Sequence, residues 1–422
     1  DLAIVALADA RCVIVLADDA GDFNVVKAVL AAGAELGRFD VVPIVAEVGD
    51  LRTGQDLVRA CGGMVYPFAP TQAVARISAY GLNGPGLIHV VEELLDVRGP
   101  NLYLIAPGEI VSATFGDTVV GLENARLIGL MLVDGSVELN PDRDTVIDAS
   151  HRLIVIADDD SPPVRSSGSR RAIASPSRPP VAPQPAQHVL MIGWNRLGRH
   201  LLEELESTAP AGSAVEVVYD PQLIDEGNVD VSFCRRLAVR STPSTSAMWH
   251  LGDDAESARL TSIVLLGYRN GSSPGDADSR TLLNLLAIKR ELRERGLAPR
   301  VVVQLLDVDS ADLAPPTGPD DFVISDAIGS RLIAQLADQP DRRSVLLRLY
   351  SGDGSAIQLV DPAALGLTTE ADFGEVVDAA YSLGLLAIGW RRADERGGGI
   401  TLNPHGGQRM LIEPEDRIVV ID

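Results

Sequence analysis

At 422 residues with 46% apolar and only 4% aromatic side chains, the chain exceeds one ordinary domain and reads as several α/β cores built on short aliphatic strands. A formal net charge of −23 argues against a nucleic-acid partner, because phosphate binding needs a basic surface. No run approaches the roughly 18 to 20 apolar residues of a membrane helix, and the first residues lack the basic, apolar, small-residue order of a signal peptide, so the chain as given is expected to be soluble.

In chain order, Val13 to Leu16 and Pro43 to Ala46 are predicted strands. The first leads into Asp18 and Asp19, the second into Glu47. Ligands of open parallel sheets bind at the carboxyl ends of the strands, so these three carboxylates can converge on a hard cation such as Ca2+. The plainer alternative is acids solvated at loop starts, common in so acidic a chain. Glu92-Glu93 and Asp158 to Asp160 read as solvated charge. Residues 76–81 and 88–95 have the apolar spacing of helices. The stretch 161–187 is rich in Pro, Ser and Arg, has no hydrophobic period, and is predicted to be a disordered linker.

The halves on either side of that linker repeat one another. Arg152–Asp158 matches Arg417–Asp422, and Leu139-Asn140-Pro141 matches Leu402-Asn403-Pro404 at nearly the same offset. Ala10–Leu16 matches Leu260–Leu266, and Val41–Ala46 matches Arg300–Leu305. Four matches in one order indicate a duplication. The second copy carries about 60 residues, from His188 to near Leu251, with no counterpart in the first, so the first copy is expected to begin inside a domain.

From His188 the pattern is strand, glycine turn, amphipathic helix, the opening unit of a dinucleotide fold. Gly193 and Gly198 suit the tight turn and close helix packing, while Asn195 stands where G-x-G-x-x-G has its middle glycine. The next strand ends in Asp220, placed to hold ribose hydroxyls. Two readings follow. Either Gly193, Asn195, Gly198 and Asp220 hold a nucleotide such as NAD(H), or the turn survives because the fold needs it. Trp194 reads as core packing in preference to a stacking platform.

Chemistry has no evident seat. The six histidines are scattered, with no second His or Cys at metal-ligand spacing and no Ser/His/Asp ordering. The cysteines Cys12, Cys61 and Cys234 are isolated, as expected of buried thiols in a reducing compartment.

A Rossmann unit, hinge helices and a small β lobe carrying Thr114–Asp117, Ala125–Leu130, Asp134–Pro141 and Asp144–Ala157 together resemble the RCK (regulator of potassium conductance) domain. The turn Ile192–Asn195 and two unequal copies in one chain resemble the Castor/Pollux family of ion channels. The resemblance implies tandem RCK-like units, each with a Rossmann-like parallel-sheet N-lobe, hinge helices and a β-rich C-lobe. The expected boundaries are a first, incomplete Rossmann lobe at 1–74, hinge helices at 75–98, a C-lobe at 99–160, the linker, a second Rossmann lobe with hinge at 188–340 and a second C-lobe at 341–422. It further implies a non-enzymatic gating-ring module on the cytoplasmic face of the membrane, four chains forming an eight-unit ring beneath a transmembrane cation pore, with the hinge helices carrying subunit pairing. An NAD(P)-dependent oxidoreductase and a soluble regulatory subunit of a potassium transporter are the alternatives.

Overall fold

The computed structural model describes residues 6–18, 21–84, 86–165, 185–224, 229–244, 251–252, 254–268, 273–311, 313, 321–350, 355–392 and 399–422. The chain opens with alternating elements: β1 (Val13–Val15), α1 (Asp22–Leu36), β2 (Ile44–Glu47), α2 (Leu51–Cys61) and β3 (Val65–Phe68), followed by α3 (Pro70–Asn83) and α4 (Leu87–Leu95). The Asp50 side chain accepts from Arg52 N to start α2, and Pro70 sits in the first turn of α3, where its missing N–H costs nothing. Then come β4 (Asn101–Ile105), α5 (Phe115–Val119), β5 (Ala125–Met131), β6 (Val137–Leu139) and β7 (Arg152–Ala157).

The second half runs β8 (His188–Ile192), α6 (Arg196–Thr208), β9 (Ala214–Tyr219), β10 (Ala238–Pro243), α7 (Asp254–Ser257), β11 (Ser262–Leu265), α8 (Pro274–Arg295), β12 (Arg300–Leu305), α9 (Val308–Ala311), β13 (Asp321–Ile324) and α10 (Ser325–Asp338). It continues through α11 (Arg342–Leu349), β14 (Ile357–Val360), β15 (Glu370–Asp372), α12 (Phe373–Ser382), β16 (Leu386–Arg391), β17 (Ile400–Leu402), β18 (Arg409–Leu411) and β19 (Arg417–Ile421).

These elements form two compact units, and each unit draws on both halves. One combines Asp1–Ile88 with Ala182–Ala337, the other His89–Val181 with Asp338–Asp422. The first contains a six-stranded parallel sheet ordered β10-β9-β8-β11-β12-β13, a doubly wound arrangement whose switch point lies between β8 and β11. Its core is aliphatic: Ile263, Leu285, Ile288, Val301, Val303 and Leu305 are fully buried. A three-stranded parallel sheet, β1-β2-β3, repeats the order of β11-β12-β13. Helix α3 packs along α6, Arg300 donates to the Leu82 carbonyl at 2.6 Å, and the buried Asp321 carboxylate accepts from Gly86 N at 2.9 Å.

The second unit holds two four-stranded antiparallel sheets of matching order, β4-β7-β5-β6 and β14-β19-β16-β17, with β15-β18 as a small extra pair. The likeness reaches single residues. The register of β5 on β7 slips between Leu127 and Gly129, and that of β16 on β19 between Ala387 and Gly389. A side chain at Gly129 would collide with the Glu138 carbonyl, and one at Gly389 with the Thr401 carbonyl. The buried Phe115 and Phe373 both open a helix, capped by Thr114 and Asp372. Asn140 and Asn403, the centres of the paired Leu-Asn-Pro motifs, have left-handed φ of 46° and 47°. Each sends its amide to the other half, Asn140 to the Gly384 carbonyl and Asn403 to the Asn124 carbonyl.

Each compact unit joins segments of both halves, α3 packing along α6 in one and Asn140 and Asn403 bonding across the halves in the other. Of the expected linker, residues 166–184 lie outside the described residues, while 161–165 are fastened to the Leu122–Asn124 turn: Glu123 N donates to the Val164 carbonyl, and Val164 N to Asn124 Oδ1. Hydrogen bonds that a composition argument cannot foresee hold that end in place.

Candidate functional site

The six-stranded sheet places the glycine turn at its switch point. Gly193 has φ 93°, and a side chain there would strike the Leu266 carbonyl. At Gly198 an added Cβ would meet Leu266 Cδ1 at 2.6 Å and Trp194 Cε3 at 3.3 Å. Both glycines are therefore required by strand and helix packing alone. Trp194 is 7% exposed and packs against Gly198, as core packing predicts.

Asn195 explains the departure from the glycine pattern. Its Oδ1 caps α6 by accepting from Gly198 N at 3.1 Å. Its Nδ2 donates across the switch point to the Gly267 carbonyl at 2.6 Å and to Gln304 Oε1 at 2.7 Å. Gln304, 2% exposed, passes the network on to Ser325 Oγ at 2.7 Å. Tyr268 closes the neighbouring gap: its hydroxyl accepts from Asp220 N at 2.9 Å, joining the end of β9 to the chain after β11. Burial pushes the Tyr268 phenol up to about 12. The Asp220 carboxylate accepts from Gln222 N, an Asx turn.

These contacts bear on a pyrophosphate. A dinucleotide on this turn would take the amide that Asn195 occupies and pass through the gap that Tyr268 bridges. The residues present do not fit NAD(H), and no step is derived through it. Gly193, Asn195, Gly198 and Asp220 are brought together, but among themselves and their neighbours they are already satisfied.

Of the expected cation ligands, Asp19 lies outside the described residues. Asp18 Oδ2 accepts from Asn24 Nδ2 at 2.8 Å, and Glu47 Oε2 accepts from Ala17 N at 3.2 Å, which holds the Glu47 carboxylate at the end of β1 beside Asp18. Among the described residues no group of three or more His, Cys, Asp or Glu side chains is arranged to hold a metal. Cys12, Cys61 and Cys234 are free and half-buried, and burial raises Cys234 to about 11.

Sequence reasoning passed over Gln304 and Tyr268. Gln304 did leave a signal, an amide inside the aliphatic run of β12, where a buried polar group demands a partner. Tyr268 left none, since its partner is 48 residues away.

Among the described residues no helix is long and apolar enough to cross a membrane. Residues 72–170 match the family model described as Castor and Pollux, part of voltage-gated ion channel. A probable ion channel CASTOR of Oryza sativa subsp. japonica is 23% identical over 99% of this chain and 50% of its own length. The ion channel POLLUX of Lotus japonicus is 22% identical over 99% of this chain and 49% of its own. The chain thus spans about half the length of these relatives. The human SLO3 gating ring superposes with a TM-score of 0.69 at 12% identity, covering 100% of this chain and 89% of that one, a likeness of fold. Residues 72–170 thus match a Castor and Pollux family model, the chain is similar along nearly its whole length to Castor and Pollux ion channels, and its tandem α/β and β-lobe fold is like that of the SLO3 gating ring.

Proposed function

We propose that this chain is the ligand-sensing, non-enzymatic regulatory module of a cation channel, working on the cytoplasmic face of the membrane beneath a transmembrane pore and coupling ligand binding to gating. The observation that carries this reading is the relation to Castor and Pollux channels over 99% of the chain. It is supported by a sheet crevice filled by Asn195 and Tyr268, where a dehydrogenase would hold its cofactor. Four chains of two RCK units each form the ring in this reading.

Within it, Asp18, Asp19 and Glu47 are the place for a divalent cation such as Ca2+, which would relieve repulsion between neighbouring carboxylates. The Glu47 bond to Ala17 N supports that grouping by drawing the ends of β1 and β2 together. Assembly tests the reading. Light scattering on the chain at micromolar concentration should give a tetramer, or a dimer that becomes a tetramer as concentration rises. A single monomeric species across that range would count against a gating ring.

A further inference from the structure

The six-stranded sheet is sealed unevenly. On its α6 face Met191 and Val217 are fully buried, and on the opposite face, under α8, so are Ile263, Val301 and Val303. Farther along that second face, Leu190 and Val218 keep 7% of their surface and Ile192 keeps 3%. They border a cavity of about 750 Å3 that runs along β8, β9 and β10, from Ala214 and Ala238 at the amino ends to Thr242 near the carboxyl end. The strand register sets two rows across its floor, Leu190, Glu216 and Arg240 in one, and Ile192, Val218 and Thr242 in the other. The floor is therefore apolar toward β8 and polar toward β10.

The facing wall is held off this floor. Among the described residues the helix between β10 and β11 is α7, a single turn too short to cover three strands. Arg295, in the last turn of α8, donates to the carbonyls of Leu251 at 3.1 Å and Gly252 at 2.8 Å and to Ser257 Oγ at 3.2 Å, and Glu291 accepts from Leu251 N at 3.0 Å. A wall tied to α8 in this way is kept from sinking onto the sheet, so the space is preformed. The charges on the lining are not all answered. Arg240 is shared by Glu216 at 2.9 Å and Glu256 at 3.5 Å, which pairs both carboxylates. Arg259, where the wall leads into β11, lines the same cavity, is exposed, and forms no ion pair among the described residues.

We propose that this cavity binds an apolar small molecule bearing one carboxylate, with its body over Leu190, Ile192 and Val218 and its carboxylate on Arg259. Covering that floor removes apolar surface from water. A guanidinium fork gives a carboxylate two parallel N–H bonds, which an alcohol cannot match and an ammonium group cannot form at all. The volume lies within the roughly 300 to 1,000 Å3 of small-molecule sites. Neither Gly193 nor Asn195 lines the cavity, so it is separate from the switch-point crevice, and its occupancy does not depend on the channel reading.

The experiment is calorimetric titration of the full chain with octanoate, octanol and octyltrimethylammonium at fixed ionic strength, each below its micellar limit. The probes share an alkyl chain and differ in charge. Octanoate should saturate a single site and bind about tenfold more tightly than octanol, and the ammonium should bind most weakly. A chain of net charge −23 attracts the cation everywhere else, so a preference for the anion reports the local arginine. Arg259→Gln, at an exposed position, should weaken octanoate binding by about tenfold, to the level of octanol, and leave octanol itself unchanged. Thr242→Trp, on the edge strand β10, should fill the cavity and remove binding of both. Uptake of octanoate that never saturates, a cation bound as tightly as the anion, unchanged octanoate affinity in Arg259→Gln, or binding retained in Thr242→Trp would each overturn the proposal. Assembly by light scattering is read separately, so failure here leaves the channel reading standing and the reverse also holds.

Discussion

The two β lobes and the two α/β sheets of this chain have diverged to different extents. In the β lobes the strand order, the bulge at Gly129 and Gly389, the capped phenylalanine and the left-handed asparagine all recur. In the α/β sheets the aliphatic strands recur, but the residues at their carboxyl ends do not: Asp18 and Glu47 in one, Gly267, Tyr268 and Leu306 in the other. Features enforced by the backbone of the lobe itself persist, whereas side chains facing a crevice are free to specialise. Even in the β lobes one position breaks the pattern. Arg126 and Leu386 occupy matching register positions before the bulge, yet Arg126, 3% exposed, donates to Asn403 Oδ1 and the Pro404 carbonyl and lies 5.4 Å over the Phe373 ring.

The sharpest way to break the β-lobe equivalence is Gly129→Ala beside Gly389→Ala. Each adds a Cβ inside contact distance of a carbonyl oxygen held in a strand, so each should lose about 3 kcal/mol in urea unfolding, with both values alike. A loss confined to one site would show that the bulges are not equivalent.

The sheet ends should separate next. If the first sheet senses a cation, Ca2+ at a hundredfold excess over its Kd stabilises the chain by about 2.7 kcal/mol. Asp18→Asn with Glu47→Gln should abolish most of the rise in Tm. Equal stabilisation of both proteins would reduce the effect to screening of surface charge.

The smallest effect belongs to Tyr268. Its phenol titrates near 12 in the fold and about 10 when unfolded, so its contribution is fully present below pH 10 and is lost as pH rises through 12. Tyr268→Phe should cost about 1 kcal/mol at neutral pH by removing the acceptor for Asp220 N, and should flatten the fall in stability between pH 10 and 12. An unchanged alkaline profile would mean that Tyr268 does not bridge the crevice.

Much of the fold was legible because its signals are local. Aliphatic runs, caps and glycines act over a few residues, and a duplication doubles each signal. Asn140 and Asn403 were visible as repeated motifs, but not their left-handed backbone or the carbonyls they reach, 244 and 279 residues away. At the switch point the glycine turn was legible and so was the oddity of Asn195. What that asparagine does was not, because Gln304 is 109 residues distant.

The amino-acid sequence by itself determined that two α/β and β-lobe copies occur, where their strands lie, and that one turn departs from the dinucleotide pattern, since each follows from short-range patterning and steric rules. Only the tertiary structure decided that segments of both halves share each compact unit and that Asn195 and Tyr268 fill the crevice. Those outcomes depend on which distant groups share a buried space, and burial is a property of the assembled fold.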